Sequence, residues 1–270
     1  MESYLTLLDH VISVGAIVPS RAGPTRSITG ISEDFDMQDY RFPCITTRPF
    51  NYKAALGELA VFLRGFNSID AFEKFGCHYW KKNAEAWRPG QGTIGRLYGV
   101  QWRRWRAPDG HEVDQIEDLI NGIRDDPYSR RHLLTAWNPG ELDEMCLPPC
   151  HVMAQFFARG NHLSCAVYMR SVDLCLGLPS DLVLYGALLA LISQETGRQP
   201  CQLTFFMGDA HVYENHVANA RLLVQRSPLK PVVYNLDSTA TTDNFTPAML
   251  EIQEPELPNN YLNLHFPLNV

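Results

Sequence analysis

The segment 182–193 constrains the fold of this chain more than any other stretch. Its residues are apolar on nearly every side of a helix, and Gly197 follows where a glycine commonly ends one. A helix without a polar face cannot lie at the surface of a water-soluble domain, so other elements must cover it all round. We therefore predict a central buried helix enclosed by further elements.

Further helices and strands are predicted around this segment. Apolar residues recur at helical spacing in an N-terminal stretch from Tyr4 to Ile12, in 54–63 and in 114–124. Runs bounded by turn residues predict strands at 132–137, 152–157, 163–168, 202–206 and 232–234. Strands interrupted by a buried helix favour an α+β fold with a largely antiparallel or mixed sheet. Apolar and turn segments interleave to the end, so we expect one domain over residues 1–270.

The composition excludes several broad classes of protein. With 45% hydrophobic residues and a formal net charge of −7, the chain is too apolar to be disordered and too acidic for sequence-independent binding of DNA or RNA. No run approaches the roughly 18 apolar residues of a membrane helix. The first residues lack the basic start and apolar stretch of a signal peptide. We therefore expect a cytoplasmic protein without a membrane or DNA partner.

Three short motifs admit both a functional and an ordinary interpretation. The glycines of 90–95 match the dinucleotide pattern G-x-G-x-x-G, but no strand precedes them, which favours a glycine-rich loop. A glycosylation sequon at 244–246 has no use without secretion. Cys146, Cys150 and His151 could be metal ligands, but structural zinc prefers four ligands, so we expect no metal. The cysteines number seven at irregular spacings, which does not indicate a disulfide framework.

The dipeptide Cys150-His151 is the strongest candidate for a nucleophilic site. Two prolines fix the backbone before it and a predicted strand follows, which leaves the thiol open to a cleft. A thiol needs a positive neighbour to become a good nucleophile, and Arg170 could supply it; a Cys-His pair can also be structural. Glu58 stands among apolar residues of a predicted helix. Burial there raises a carboxyl pKa and suits the group to proton transfer, unless it lies on the helix surface.

Two hydrogen-bonding residues near the end of the chain form another candidate. His211 and Tyr213 lie two apart in an extended segment, so their side chains point to the same side. Both could bind a sugar hydroxyl, and both could equally be structural.

Taken together, these motifs resemble those of the thymidylate synthase family over the whole chain. The matching segments follow the family's order: 98–102, 129–131, 136–138, 147–151, 155–156, 170–173, 176–179 and 208–216. The resemblance implies an α+β three-layer fold, with a mixed sheet against helices, and a homodimer packed through its sheets. It also implies that Cys150 attacks C6 of a pyrimidine nucleotide, whose C5 then takes a one-carbon unit from the co-substrate 5,10-methylenetetrahydrofolate.

The resemblance implies a role for each candidate residue. Those implied in catalysis are Cys150, Glu58, Tyr98, His151, Arg170 and Asp173. Those implied in nucleotide binding are Arg21, Arg170, Ser171, Asp181, His211 and Tyr213, with Arg130 and Arg131 reaching across the dimer to the partner's phosphate. Those implied in folate binding are Arg48, Trp80, Leu147, Asp173, Gly177 and Val270. Guanidinium groups bind a phosphate in a bidentate way, and their charge should favour the Cys150 thiolate.

One departure from the family concerns the base. Thymidylate synthases that act on dUMP have asparagine where this chain has Asp181, and an amide matches the N3–H donor and O4 acceptor of uracil. Cytosine reverses that order. A protonated Asp181 can match neutral cytosine, an ionised one can match N3-protonated cytosine, and an ionised one would repel O4 of uracil. Aspartate marks the cytidylate branch, the dCMP hydroxymethylases, so dCMP is the expected substrate. Ser171 favours it over CMP.

A second departure concerns the product. Ser180 and Asn83 replace aromatic residues that pack on folate in thymidylate synthases. A wetter folate face would let water capture the one-carbon unit and give 5-hydroxymethyl-dCMP, whereas methylation ends by a hydride transfer that excludes water. Trp80, Leu147 and the tail 266–270 still match a synthase's closing apparatus, so methylation of dCMP stays open. Two rival interpretations are methylation of dUMP to dTMP and an idle homologue that binds nucleotide or RNA.

Overall fold

A computed structural model describes residues 1–253, 256–258 and 264–269. The α-helices of these residues are α1 (Glu2–Val14), α2 (Tyr52–Leu63), α3 (Ile69–Lys74), α4 (Lys81–Trp87), α5 (Gly99–Arg103), α6 (Gln115–Asp125), α7 (Gly177–Glu195) and α8 (Val217–Leu223). Their strands are β1 (Ala16–Val18), β2 (Thr25–Asp36), β3 (Arg41–Phe42), β4 (Trp105–Arg106), β5 (Glu112–Val113), β6 (Leu133–Thr135), β7 (His151–Arg159), β8 (His162–Met169), β9 (Val172–Asp173), β10 (Gln199–Tyr213), β11 (Val232–Leu236) and β12 (Leu250–Ile252).

The main sheet is mixed, as the sequence predicts. Its strands follow the order β1-β2-β10-β8-β7-β6, and β9 pairs with the far end of β10. The long strand β10 runs antiparallel to β2 and parallel to β8 and β9, while the other neighbours in the sheet are antiparallel. Because β8, β9 and β10 run the same way, their ends carry Met169, Asp173 and Tyr213 towards one edge of the sheet.

The central helix α7 confirms the prediction of a buried core helix. It packs against β8 and β10 on one side and against α2 on the other, so sheet, α7 and α2 form three layers. By length and hydropathy it could cross a membrane, but 83% of its apolar window is buried inside the protein, as in the core helix of a folded domain. The expectation that no such run exists is therefore wrong. The helix starts at Gly177 and has 19 residues, five more at its N-terminus than the predicted segment beginning at Leu182.

Local sequence signals explain the other helices. Asn51 caps α2 by accepting from the Ala54 N–H group, and Ser68 does the same for α3. Asp114 caps α6 by accepting from two backbone N–H groups, at 3.1 Å each. The predicted helices at the N-terminus, at 54–63 and at 114–124 are all present, and each buries its apolar face against the core. Residues 90–95 form a loop, as predicted, with all three glycines at positive φ.

The two faces of the sheet differ in burial. Ala154, Phe156 and Ala158 of β7 point inward and are buried, whereas the alternate residues are only half-buried. The outward-facing side chains form what we call the outer sheet face: Met153, Gln155, Phe157, Tyr168 and Phe206. Tyr168 and Phe206 are neighbours in the ladder and are 43% and 47% exposed. The predicted strands 132–137, 152–157, 163–168, 202–206 and 232–234 all correspond to observed strands, whereas β2 was not predicted.

Candidate functional site

Cys150 ends the loop 147–150, directly before β7. Its backbone N–H group donates to the Tyr98 hydroxyl at 2.8 Å, and its carbonyl accepts from the backbone of Arg170 at 3.0 Å. The Arg170 side chain donates to the carbonyls of Pro149 at 2.8 Å and Pro148 at 2.7 Å, and its Nη2 lies 3.8 Å from the Cys150 Sγ. Arg170 therefore fixes the loop and places a positive charge beside the thiol.

The Cys150 thiol does not have the lowered pKa that nearby arginines suggest. Burial raises its pKa, the charge of Arg170 lowers it, the charge of Asp181 raises it, and a hydrogen bond from Tyr98 lowers it. The net result is a pKa above the ordinary value. The expected effect of the arginine charge is confirmed, because Arg170 lowers the thiol pKa, but burial outweighs it.

Tyr98 reaches Cys150 through a strained backbone. It has a φ of 41°, in the left-handed region that non-glycine residues avoid, and it immediately precedes α5. The next residue, Gly99, lies so close to α2 that a Cβ there would come within 2.4 Å of the Phe62 Cα. Tight packing of α5 on α2 thus holds Tyr98 in a conformation that costs energy. Strain maintained in this way is common where a side chain has a functional position.

Glu58 is buried on α2, as one of the two predicted alternatives requires. Its carboxylate accepts from the Tyr79 hydroxyl at 2.6 Å and from the Trp80 indole N–H at 2.6 Å. Burial raises the pKa of Glu58 to about 7, and these two hydrogen bonds oppose that rise. A carboxyl group with this pKa can both give and take a proton near neutral pH.

His151 and Asp181 form a buried pair beside Cys150. The His151 Nε2 lies 2.8 Å from the Asp181 Oδ1, and both side chains are at most one-tenth exposed. Burial opposes the charged imidazole, but the charge of Asp181, the hydrogen bond to it and the charge of Glu58 outweigh burial, so the pKa of His151 is raised. The structure thus brings Cys150, Glu58, Tyr98, His151, Arg170 and Asp181 into one site.

The comparison with known families agrees with this arrangement. A sequence model of the family described as thymidylate synthase matches residues 2–259. The chain belongs to the thymidylate synthase family. Folate-dependent transfer of a one-carbon unit to a nucleotide is therefore its general activity, and the mixed sheet with helices confirms the predicted fold.

The ribose candidates of this family member lie at the end of β10. The His211 Nδ1 is 3.0 Å from Asp209 Oδ1, and the His211 and Tyr213 rings meet edge to face at 5.3 Å. The charges of Asp173, Arg21 and Cys150 act on the pKa of Tyr213, so these three residues lie near it. Arg21 lies in the turn between β1 and β2, and Ser171 lies between β8 and β9. Their roles in nucleotide binding stay predictions.

Arg130 and Arg131 are the candidates that lie next to the outer sheet face. Both are exposed in the connection between α6 and β6. The Arg130 carbonyl accepts from Gln155 on the outer sheet face at 2.9 Å. The outer sheet face and the two arginines are therefore adjacent, and the predicted role of both arginines across a dimer stays a prediction.

Two of the folate candidates, Asp173 and Gly177, lie at the start of α7. Asp173 Oδ1 accepts from the backbone N–H groups of Cys175 at 2.8 Å and Leu176 at 3.4 Å, and burial raises the pKa of Asp173. A Cβ at Gly177 would lie 3.7 Å from Asp173 Cβ and 3.8 Å from Asp181 Oδ2, so Gly177 separates the two carboxylates. Leu147 is half-buried against the core, and Trp80 is held by Glu58.

The C-terminal tail, residues 264–269, docks over the same region. Its backbone carbonyls accept from His216 Nε2 at 2.8 Å and from Asn219 at 2.7 Å, and Asn269 pairs with Asn215 at 3.0 Å. Arg48 is buried beneath the tail, where it donates to the Cys175 carbonyl at 2.6 Å and lies 5.0 Å from the Phe266 ring centre. Val270, another predicted folate contact, lies outside the described residues.

Some site residues were missed by sequence reasoning. Tyr79 completes the partners of Glu58, and its position directly before Trp80 is the only sequence signal for it. Asp209 orients His211 from two positions earlier on the same strand, a spacing that could have identified it. His216 anchors the tail, and its ligand atom lies within 4.8 Å of those of Asp173 and Cys175. These are three potential ligands, one short of a structural zinc site, so the expectation of no metal stays a prediction.

Proposed function

We propose that this protein transfers a one-carbon unit from 5,10-methylenetetrahydrofolate to C5 of dCMP and releases 5-hydroxymethyl-dCMP. The observation that supports dCMP as the substrate is the buried Asp181 beside His151 and Cys150. At the position where the family's dUMP enzymes present an amide, this site presents a carboxylate, which can accept from the cytosine amino group and would face the lone pairs of uracil O4. The proposed location of the reaction is the cytoplasm.

The proposal of a hydroxymethyl product rests on Ser180. Its hydroxyl donates to the Leu176 carbonyl at 3.2 Å, so the side chain turns back onto its own helix. Neither Ser180 nor half-buried Asn83 offers a ring to pack on folate. Water can then reach the one-carbon unit attached to C5 of the base. Its capture by water gives the hydroxymethyl group and leaves tetrahydrofolate unoxidised. Methylation of dCMP is the second candidate, because Trp80 and the docked tail resemble the closing parts of a synthase.

The residues present suit a bound folate. Asp173 uses Oδ1 for two backbone N–H groups, which leaves Oδ2 available to a pterin donor, and the buried His216 Nδ1 has no partner in the described part of the chain. When bound, the folate supplies the one-carbon unit. Trp80 and Gly177 border its place, and the tail over Arg48 would shield it from water.

The protein's own groups supply the remaining chemistry. The Cys150 thiol gives its proton to water and its sulfur adds to C6, so the electron pair of the C5–C6 double bond becomes available at C5. After C5 has taken the one-carbon unit and lost its hydrogen as a proton, the S–C6 bond breaks and Cys150 is released. Arg170 stabilises the thiolate and holds its loop. Glu58, with a pKa of about 7, exchanges protons with the base through water. Asp181 and His151 orient the pyrimidine ring.

A product assay tests this proposal. The protein is incubated with methylenetetrahydrofolate and with dCMP, CMP or dUMP separately, and each product is weighed by mass spectrometry while dihydrofolate absorbance is followed. We expect hydroxymethyl-dCMP without dihydrofolate, and Cys150→Ala serves as the inactive control. Dihydrofolate with methyl-dCMP would establish the second candidate, preference for dUMP would refute the cytosine assignment, and no product from any nucleotide would favour the idle homologue.

We also propose a homodimer formed through the outer sheet face. Half-exposed aromatic residues at the centre of a sheet are typical of a surface that is covered in the assembly. Mixing an inactive Cys150→Ala chain with an inactive Arg131→Ala chain should restore part of the activity, because one hybrid site keeps both groups. Heterodimers that show no recovery would contradict the shared site.

A further inference from the structure

The hydrogen bonds of Glu58 decide which of its oxygens carries the exchangeable proton. Oε1 lies 2.6 Å from the Trp80 indole Nε1, and Oε2 lies 2.6 Å from the Tyr79 hydroxyl. An indole N–H group can only donate, whereas a hydroxyl can donate or accept. The carbonyl oxygen of a carboxylic acid is a better acceptor than its hydroxyl oxygen. Neutral Glu58 therefore keeps Oε1 as the carbonyl that faces Trp80 and carries its proton on Oε2, next to Tyr79.

Tyr79 has two acceptors for one hydrogen. Its hydroxyl donates to Glu58 Oε2, and it also forms a side-chain hydrogen bond with Cys77. Cys77 is fully buried in the segment between α3 and α4, and the backbone of Tyr79 hydrogen-bonds to its side chain as well. A single hydroxyl hydrogen cannot point to Glu58 and to Cys77 at the same time.

Each protonation state of Glu58 therefore selects one direction of the Tyr79 hydroxyl. With Glu58 ionised, the hydroxyl donates to Oε2. With Glu58 neutral, Oε2–H donates to the hydroxyl oxygen, and the hydroxyl hydrogen turns to the Cys77 sulfur, which is a weak acceptor. A buried donor without an acceptor is costly, so Cys77 stabilises the neutral state of Glu58 through Tyr79.

Other titratable groups face Glu58 from β7 and α7. The charge of His151 lowers the pKa of Glu58 and the charge of Asp181 raises it, so these two neighbours oppose each other. Tyr185 of α7 is acted on by the charge of Glu58, and its pKa lies well above the ordinary value. Among the described residues, Tyr79 supplies the hydroxyl that is hydrogen-bonded to Glu58, so it is the neighbour that can follow the proton.

We propose that Tyr79 is a positioning residue whose hydroxyl reverses between Glu58 and Cys77, so that Glu58 holds and releases its proton without leaving a buried donor unpaired. The inference rests on the proposed function, in which Glu58 exchanges protons with the base through water. No covalent bond of Tyr79 breaks in the reversal, because the phenol keeps its hydrogen and only turns it. The exchanged proton moves between Glu58 Oε2 and water.

The test titrates Glu58 directly in the protein without nucleotide or folate. Glutamate is labelled with ¹³C at Cδ, the Glu58 resonance is identified by its loss in Glu58→Gln, and its chemical shift is followed from about pH 5 to 9. Tyr79→Phe removes a donor to the carboxylate, so the midpoint should rise above that of the wild type. Cys77→Ala removes the acceptor that the neutral state needs, so the midpoint should fall.

Matched variants separate the hydroxyl reversal from a general effect of packing. Cys77→Ser keeps an acceptor and should titrate like the wild type. Cys77→Ala added to Tyr79→Phe should cause no further shift, because Cys77 acts only through the hydroxyl. Cys165→Ala and Tyr234→Phe remove another buried thiol and another buried hydroxyl, and both should leave the midpoint unchanged.

Several outcomes would overturn the inference. A midpoint in Tyr79→Phe at or below that of the wild type would do so alone, even if Cys77→Ala failed to fold. An unchanged or raised midpoint in a folded Cys77→Ala would also do so, as would an equal fall with Tyr79 already replaced. The expected titrations in a protein that forms no product from methylenetetrahydrofolate and any nucleotide would instead refute the proposed function.

Discussion

Two neighbourhoods of Cys150 differ in charge, burial and purpose. The first is Arg170, a half-buried cation that holds the loop and favours the thiolate. The second contains Glu58, His151 and Asp181, all buried, two of them carboxyl groups, and its Asp181 charge opposes the thiolate. Burial raises the pKa of the Cys150 thiol more than Arg170 lowers it, so the thiol is mainly protonated at neutral pH. The groups proposed to prepare the nucleophile and those proposed to bind the base therefore shift the thiol pKa in opposite directions.

The largest expected effect is on turnover and comes from removing the Cys150 thiol, which lies between the two neighbourhoods. Cys150→Ala should abolish turnover, because the variant lacks the thiol that we propose adds to C6, while the affinity for dCMP stays within about tenfold. Stopped assays and equilibrium binding measure the two quantities. Cys146→Ala, a half-buried cysteine in the adjacent loop, is the matched control and should stay active. Turnover that survives in Cys150→Ala would remove covalent catalysis from the mechanism.

Glu58→Gln should affect the buried neighbourhood alone. We expect kcat to fall by roughly 10²–10⁴-fold, since one proton-transfer group is lost. The pKa of Glu58 is about 7, so its carboxylate fraction rises through neutral pH. The wild-type pH profile should therefore bend near that pH, and the bend should vanish in the variant. Glu73→Gln on α3 is the control, and a bend that persists in Glu58→Gln would assign it to another group.

Asp181→Asn should shift the choice of base from dCMP towards dUMP. The amide restores the donor and acceptor order of uracil, so action on dCMP should weaken and action on dUMP should increase. A mismatched buried hydrogen bond costs about 1–3 kcal/mol, or roughly ten- to a hundredfold in relative kcat/KM. Competition between the two nucleotides at several pH values measures it, and replacement of the exposed Asp118 of α6 by Asn is the control. An unchanged preference would show that Asp181 does not read the base.

The smallest expected effect is on the pKa of the Cys150 thiol, which the two neighbourhoods shift in opposite directions. Arg170→Gln removes a positive charge that favours the thiolate, so the thiol pKa should rise further. Asp181→Asn removes a negative charge that opposes it, so the thiol pKa should fall. The rate of alkylation by iodoacetamide as a function of pH reports both, after subtraction of the Cys150→Ala background. Shifts in the same direction would contradict the comparison.

The spacing of apolar residues predicted the core, because the core helices and strands follow the regular helix and strand repeats. The all-round apolar helix, the amphipathic α6 and the alternating strands β7 and β8 follow directly from side-chain spacing. The start of α7 at Gly177 was missed because a glycine and Pro179 resemble a loop, although proline is well tolerated in a first turn. Strand β2 was missed because its middle is polar and exposed, so it carries little alternation.

The sequence predicted which residues form the candidate site better than it predicted their pKa values and hydrogen bonds. Motif order named Cys150, Arg170 and Asp181, and the chain brings them together. The raised thiol pKa could not be read from sequence, since it depends on how deeply the loop is buried. Likewise, the contact between His151 and Asp181 arises only in the folded chain, because 30 positions of sequence separate them.

The docked tail has a practical consequence for handling the protein. Asn215, His216 and Asn219 hold the last described residues by hydrogen bonds of 2.7–3.0 Å, and the Phe266 ring lies over Arg48. An affinity tag or fluorescent fusion joined to this end would add bulk where the backbone is clamped. Tagged preparations should therefore lose catalytic competence while retaining an ordinary melting temperature, and a cleavable tag at the other terminus is the sounder choice for every assay above.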